Sequence, residues 1–184
     1  MSIEKYTTQT LVLEIYDQGE HDRVYKLFTR DYGLVMAHAR SIRKLESKLR
    51  FHLAVGRTAL VTLVKGREVW RITGATDMGD KNLFLHEVCQ MLTRFIRGEG
   101  THKKLYDKLI EISKNISQYD SLKARVLMQF ILLVDLGYAD AKIIGAKDLE
   151  EYLSFDINDL YTHLSLNYKE VIKHIHTVSI ETHL

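Results

Sequence analysis

The feature that most constrains this chain is a change in hydrophobic period near residue 80. Before it, apolar residues alternate with a period of two; after it, they recur at helical spacing. Leu11, Leu13 and Ile15 alternate with Val12 and Glu14, the pattern of a half-buried strand. Residues 17–22 are polar and predict a loop, residues 24–29 a second strand, and Arg30-Asp31-Tyr32-Gly33 a turn with glycine last. Val35, Ala37 and Ala39 mark the inner face of a third strand. Residues 58–64 and 68–73 flank Lys65-Gly66-Arg67 as a hairpin. Five short strands in so few residues predict a small closed barrel, because closure removes the sheet edges that would otherwise pair with other chains.

Beyond residue 80, Phe84, Val88, Met91, Leu92 and Phe95 lie on one helical stripe, ended by Gly98 as a left-handed cap. Leu105, Leu109, Ile112 and Ile116 stripe a second helix. Residues 120–136 predict a third, apolar almost all round and therefore the centre of a bundle, stopped by Gly137. Further helices are expected over residues 159–164 and 168–182, the last opened by Asn167 and Glu170 as a capping box. The expected class is α+β: a barrel over residues 1–79 and a helical domain over 80–184.

Charge is placed rather than spread. Residues 1–79 carry 13 Lys and Arg against 9 Asp and Glu, whereas residues 80–184 carry 13 against 15. Most of the excess falls in residues 40–50, where Arg40, Arg43, Lys44, Lys48 and Arg50 face one acid, Glu46. As a helix, this segment would oppose Arg40, Arg43, Lys44 and Lys48 to Ile42, Leu45 and Leu49; as a loop, the cations would fan into solvent. A charge run is often only a solvated face. Beside a small barrel, however, its natural counterpart is phosphate, and five neutralised phosphates on a single strand would give a salt slope of roughly −3.5. Three apolar residues are too few to anchor such a helix stably on a membrane.

Other classes find little support. No apolar run is long enough to span a bilayer, and the N-terminus lacks a signal-peptide layout, so a cytoplasmic protein is expected. One cysteine, Cys89, precludes an intramolecular disulfide and a multi-cysteine zinc site. The pairs His86/Cys89 and His174/His176 offer too few ligands for a metal, and no cofactor is expected. No nucleophile elbow, phosphate loop or dinucleotide fingerprint is present, so the chain is not expected to be an enzyme. Tyr25 and Trp70 lie on predicted strands, where they could stack bases but are more simply barrel core, Trp70 especially.

The run from Asp22 to Gly33, Asp-Arg-Val-Tyr-Lys-Leu-Phe-Thr-Arg-Asp-Tyr-Gly, resembles the start of the bacterial RecO family. Without a gap, Ala37, Ala39, Arg40, Arg43, Lys44, Ser47, Lys48, Leu49 and Arg50 resemble that family's basic stretch. Arg125-Val126-Leu127 and Leu136-Gly137-Tyr138 look like its central helix and the end of that helix. The resemblance implies an oligonucleotide-binding (OB) barrel followed by a helical domain, and recombination-mediator activity. It implies binding of single- and double-stranded DNA, annealing of complementary strands, cooperation with RecR, docking of the C-terminal tail of single-strand-binding protein, and, indirectly, loading of RecA. DNA contact would fall on Arg40, Arg43, Lys44, Lys48 and Arg50, with Arg23, Lys26 and Arg30 as weaker candidates. Two departures stand out. Ser41 and Leu45 replace a family Gly and Pro, which favours a helical segment. Residues 139–145 lack the zinc-binding cysteines of many members, so zinc is expected to be absent.

Overall fold

A computed structural model describes residues 4–66, 69–81 and 85–181. Five strands, β1 (Lys5–Gln18), β2 (Asp22–Thr29), β3 (Gly33–Ala39), β4 (Arg57–Lys65) and β5 (Trp70–Lys81), close into a barrel in the order β1-β2-β3-β5-β4. Neighbours pair antiparallel except β3 and β5, which close the barrel as a short parallel pair through Ala37 opposite Trp70 and His38 opposite Arg71. Val12, Tyr25, Leu27, Val35, Ala37, Val61, Leu63 and Trp70 fill the interior. Trp70 and Tyr25 are therefore core, and neither ring is available to a base.

The alternation in β1 resolves differently from the sequence reading. Val12 pairs with Leu27 and faces the interior, whereas Leu11 pairs with Phe28 on the outer face. A register shift between Val12 and Glu14 then returns Ile15 to the interior. Leu11 and Leu13 are nonetheless buried. The outer face is covered by helix α1 (Leu85–Phe95), whose Cys89 thiol reaches the Val12 carbonyl at 3.8 Å. Burial pushes that thiol up to about 12, so Cys89 acts as a small apolar side chain rather than a nucleophile. Phe28 likewise meets the Tyr106 ring at 5.6 Å, in helix α2 (Lys103–Lys114). For this reason the first compact unit extends past the sheet to Tyr106, and the second runs from Asp107 to Leu184.

At one end of the barrel Tyr6, Tyr32 and Trp70 form an aromatic cluster with centroids 5.4–5.7 Å apart. The segment after α1 is fastened there. Trp70 Nε1 donates to Glu99 at 3.0 Å, Lys65 Nζ reaches the other Glu99 oxygen at 3.0 Å, and Leu34 N–H donates to the Gly98 carbonyl at 3.2 Å. The indole hydrogen bond first, and the Lys65 ammonium second, hold the Glu99 carboxyl below the usual carboxylate range. A depressed folded pKa adds stability above the unfolded value of about 4.3 and loses it as pH falls through the folded value. Glu99→Gln should therefore be less stable than wild type at pH 7, with the gap closing below about pH 4. Denaturant melts followed by Trp70 fluorescence check this, and a pH-independent gap would contradict it.

In the second unit, α3 (Ser121–Asp135) has nine buried residues, from Ala124 to Val134, as its all-round apolarity predicts. Asp120 caps it by accepting from Lys123 N–H at 2.9 Å, and Gly137, at φ 79°, ends it. Helices α4 (Leu149–Ser154), α5 (Ile157–Leu166) and α6 (Tyr168–Glu181) follow, and α3 packs on α5 and α6. The short α4 is absent from the sequence reading. The predicted cap also differs: the Asn167 amide donates to the carbonyls of Ile144 and His163, both at 3.0 Å, instead of forming a capping box. A capping box does form on α5, between Asp156 and Asp159. Among the described residues no helix is long and apolar enough to cross a membrane, and no group of three or more His, Cys, Asp or Glu is placed to hold a metal.

Candidate nucleic-acid interface

The basic segment leaves β3 as a succession of turns, not as a helix, and ends in one 3-10 turn, Leu49–Phe51. Ser41 adopts φ 53°, the left-handed region disfavoured for a residue with a Cβ. Its N–H donates to the Asp22 carboxylate at 2.7 Å, which offsets the strain. Serine at this position therefore does not convert the loop to a helix; its backbone is left-handed.

Ile42 is fully buried in the barrel core, worth about 1.5–3 kcal/mol, and Arg43 N–H donates to the His21 carbonyl at 3.0 Å. Linked turns follow, Lys44 N–H to Ser41 at 3.2 Å and Ser47 N–H to Lys44 at 3.1 Å. Leu49 packs on the core and Leu53 lies within it. The loop is thus pinned at both ends. Leu45, expected on the apolar face beside Ile42 and Leu49, is instead 80% exposed.

The eight candidate cations separate by their partners. The side chains of Arg40, Lys44 and Lys48 are exposed and make no hydrogen bond or ion pair among the described residues. Arg43 is partly engaged, with Nη1 at 3.2 Å from the Gly19 carbonyl and 3.5 Å from Asp17. Arg50 is half-buried, its guanidinium 4.6 Å from the Phe51 ring centroid, and its Nε has no hydrogen-bond partner. The weaker candidates serve the fold. Arg23 Nε binds Asp17 at 2.8 Å, Lys26 Nζ lies 3.3 Å from Glu14 and 3.2 Å from the Thr93 carbonyl, and Arg30 sits 3.8 Å from Asp31. The Arg23 hydrogen bond, with Arg43 nearby, also holds the Asp17 carboxyl below the usual range. Arg40, Lys44 and Lys48 are therefore the cations left with charge to offer, spread along nine residues of one anchored loop.

One exposed residue escaped the sequence reading. Phe51 is 61% exposed, directly after the last cation. The signal was its position: an aromatic adjoining Arg50 in a segment with few other reasons to hold one.

A five-stranded barrel in this order, carrying a cationic loop after its third strand, defines the OB class of small binding barrels. Residues 1–78 match the family model described as "Recombination protein O N terminal". Among curated relatives, DNA repair protein RecO of Dehalococcoides mccartyi is 34% identical over 70 residues, 38% of this chain and 28% of that protein. RecO of Syntrophotalea carbinolica is 26% identical over 151 residues, 74% of this chain and 58% of that protein, so the likeness reaches into the helical half. RecO of a Polaromonas species is 30% identical over 104 residues, 52% of this chain and 41% of that protein. The first 78 residues are thus similar to the N-terminal part of RecO proteins, and the chain spans less than two thirds of the length of the curated relatives it matches.

Proposed function

We propose that this chain acts in DNA repair and recombination, capturing nucleic-acid backbone on the loop of residues 40–50 without making or breaking bonds. The observation that carries this reading is the set of three exposed cations, Arg40, Lys44 and Lys48, without acidic partners among the described residues, on a loop pinned by Ile42. Similarity to curated proteins named DNA repair protein RecO supports it. A preformed cationic ridge binds phosphates without ordering the chain first, so little affinity is lost to entropy. Neutralising backbone also lowers the repulsion between two strands, which is what annealing requires.

Arg40, Lys44 and Lys48 are the primary contacts in this proposal, and Arg43 and Arg50 contribute after giving up their present contacts. In the cytoplasm the chain would bind single- and double-stranded DNA and anneal complementary strands. RecR and the tail of single-strand-binding protein would be its protein partners, with RecA served indirectly. Titration of labelled single-stranded DNA tests the reading. Three to five phosphate contacts predict a loss of about 20- to 100-fold in affinity between 50 and 200 mM salt, with the DNA intact whether or not magnesium is present. No retention at either salt would favour a protein-interaction adaptor, and magnesium-dependent cleavage would indicate a nuclease.

A further inference from the structure

We infer that Phe51 is a base-stacking platform, which makes unpaired bases the preferred substrate of the cationic loop; this rests on the DNA-binding reading above. The 3-10 turn that ends the loop sets the geometry. Phe51 N–H donates to the Lys48 carbonyl at 3.4 Å, closing a turn in which side chains three apart eclipse one another. Lys48 and Phe51 therefore project to the same side, one exposed without a partner and the other 61% exposed. Leu49 and Leu53 hold the turn on the barrel core.

The turn is fixed on its far side too. The Phe51 carbonyl accepts from Arg57 Nη1 at 3.4 Å, and Arg57 is bridged to Asp77 at 2.8 Å. His52 Nδ1 accepts from Asp77 N–H at 3.3 Å. Arg50 leans on the ring instead of pairing with an acid, and its Nε goes without a hydrogen bond. A phosphate-binding ammonium and a cation-flanked aromatic face are the two components that single-strand sites combine. Duplex DNA keeps its bases stacked on each other and presents phosphates and base edges, not base faces, to such a loop. The aromatic contact thus adds affinity only where bases are unpaired.

The test compares an unpaired oligonucleotide with a duplex of equal length, using the whole chain. Phe51→Ala should weaken single-strand binding about 5- to 150-fold, the range of one base–aromatic stack, with duplex affinity and salt slope unchanged. Phe51→Trp should bind single strands like wild type, its indole fluorescence quenched on binding. Equal single-strand affinity for wild type and Phe51→Ala, equal losses on both substrates, or a Phe51→Trp emission unmoved by DNA would each overturn the inference while leaving the cationic loop intact. Wild type without affinity for either substrate would overturn both.

Discussion

Replacing Arg40, Lys44 and Lys48 together by glutamate should reduce affinity for single-stranded DNA by at least about 100-fold at 100 mM salt, with the fold unchanged. The size follows from removing three phosphate contacts and setting three carboxylates in their place. The unchanged fold follows from exposure: none of the three side chains has a partner among the described residues, and the loop is held instead by Ile42, Leu49 and backbone hydrogen bonds. The matched control reverses Arg23, Lys26 and Arg30. Those substitutions should lower the melting temperature, since Arg23 and Lys26 answer Asp17 and Glu14 across the β1–β2 pair. Filter binding or fluorescence anisotropy, with thermal melts of both triple variants, separates the two sets. Binding that survives the first triple variant would move the interface elsewhere.

Gly33→Ala should destabilise the barrel unit by on the order of 3–5 kcal/mol. Gly33 sits at φ 64°, where a Cβ costs about 1–2 kcal/mol. That Cβ would also overlap the Gly100 carbonyl, a backbone group that cannot step aside like a side chain. Relief requires the 98–100 segment to lift off, breaking the Leu34–Gly98 hydrogen bond and pulling Glu99 from Trp70. Gly19→Ala is the comparison: its φ is 61°, but a Cβ there meets nothing within 4 Å, so only the backbone cost of about 1–2 kcal/mol applies. Trp70 is the single tryptophan and lies in the barrel, so its fluorescence reports this unit's unfolding directly. Equal midpoints for the two variants would show that the close approach at Gly100 is not tight.

The barrel was legible because its strands announce themselves by alternation and its turns by glycine and polar runs. Its closure was not: the parallel contact of Ala37 with Trp70 joins residues far apart in sequence through two short pairings. The bulge in β1 was also hidden, because Leu11, Val12 and Leu13 are all apolar and the pattern holds no phase there. At the basic segment, composition gave the cations but not their partners. Part of that was recoverable, since a hairpin turning at residues 19–21 sets Asp17 opposite Arg23 and Glu14 opposite Lys26, pairs that read as cross-strand ion pairs. The conformation of residues 40–48 was not recoverable, because with Ser41 and Leu45 the segment holds no helix breaker and its cations and apolar residues fall on opposite helical faces. Tertiary anchoring of Ile42 and the Asp22 carboxylate decided for turns.

The central claim is that three specific cations meet phosphate, and the salt dependence of binding counts such contacts. Affinity of wild type and of the Arg40, Lys44 and Lys48 glutamate variant for the same oligonucleotide, measured between 50 and 200 mM salt, gives two slopes. The wild-type slope should lie between about −2 and −3.5, and the variant's should be shallower by about 2. Parallel slopes, or a wild-type slope shallower than about −1, would contradict the assignment.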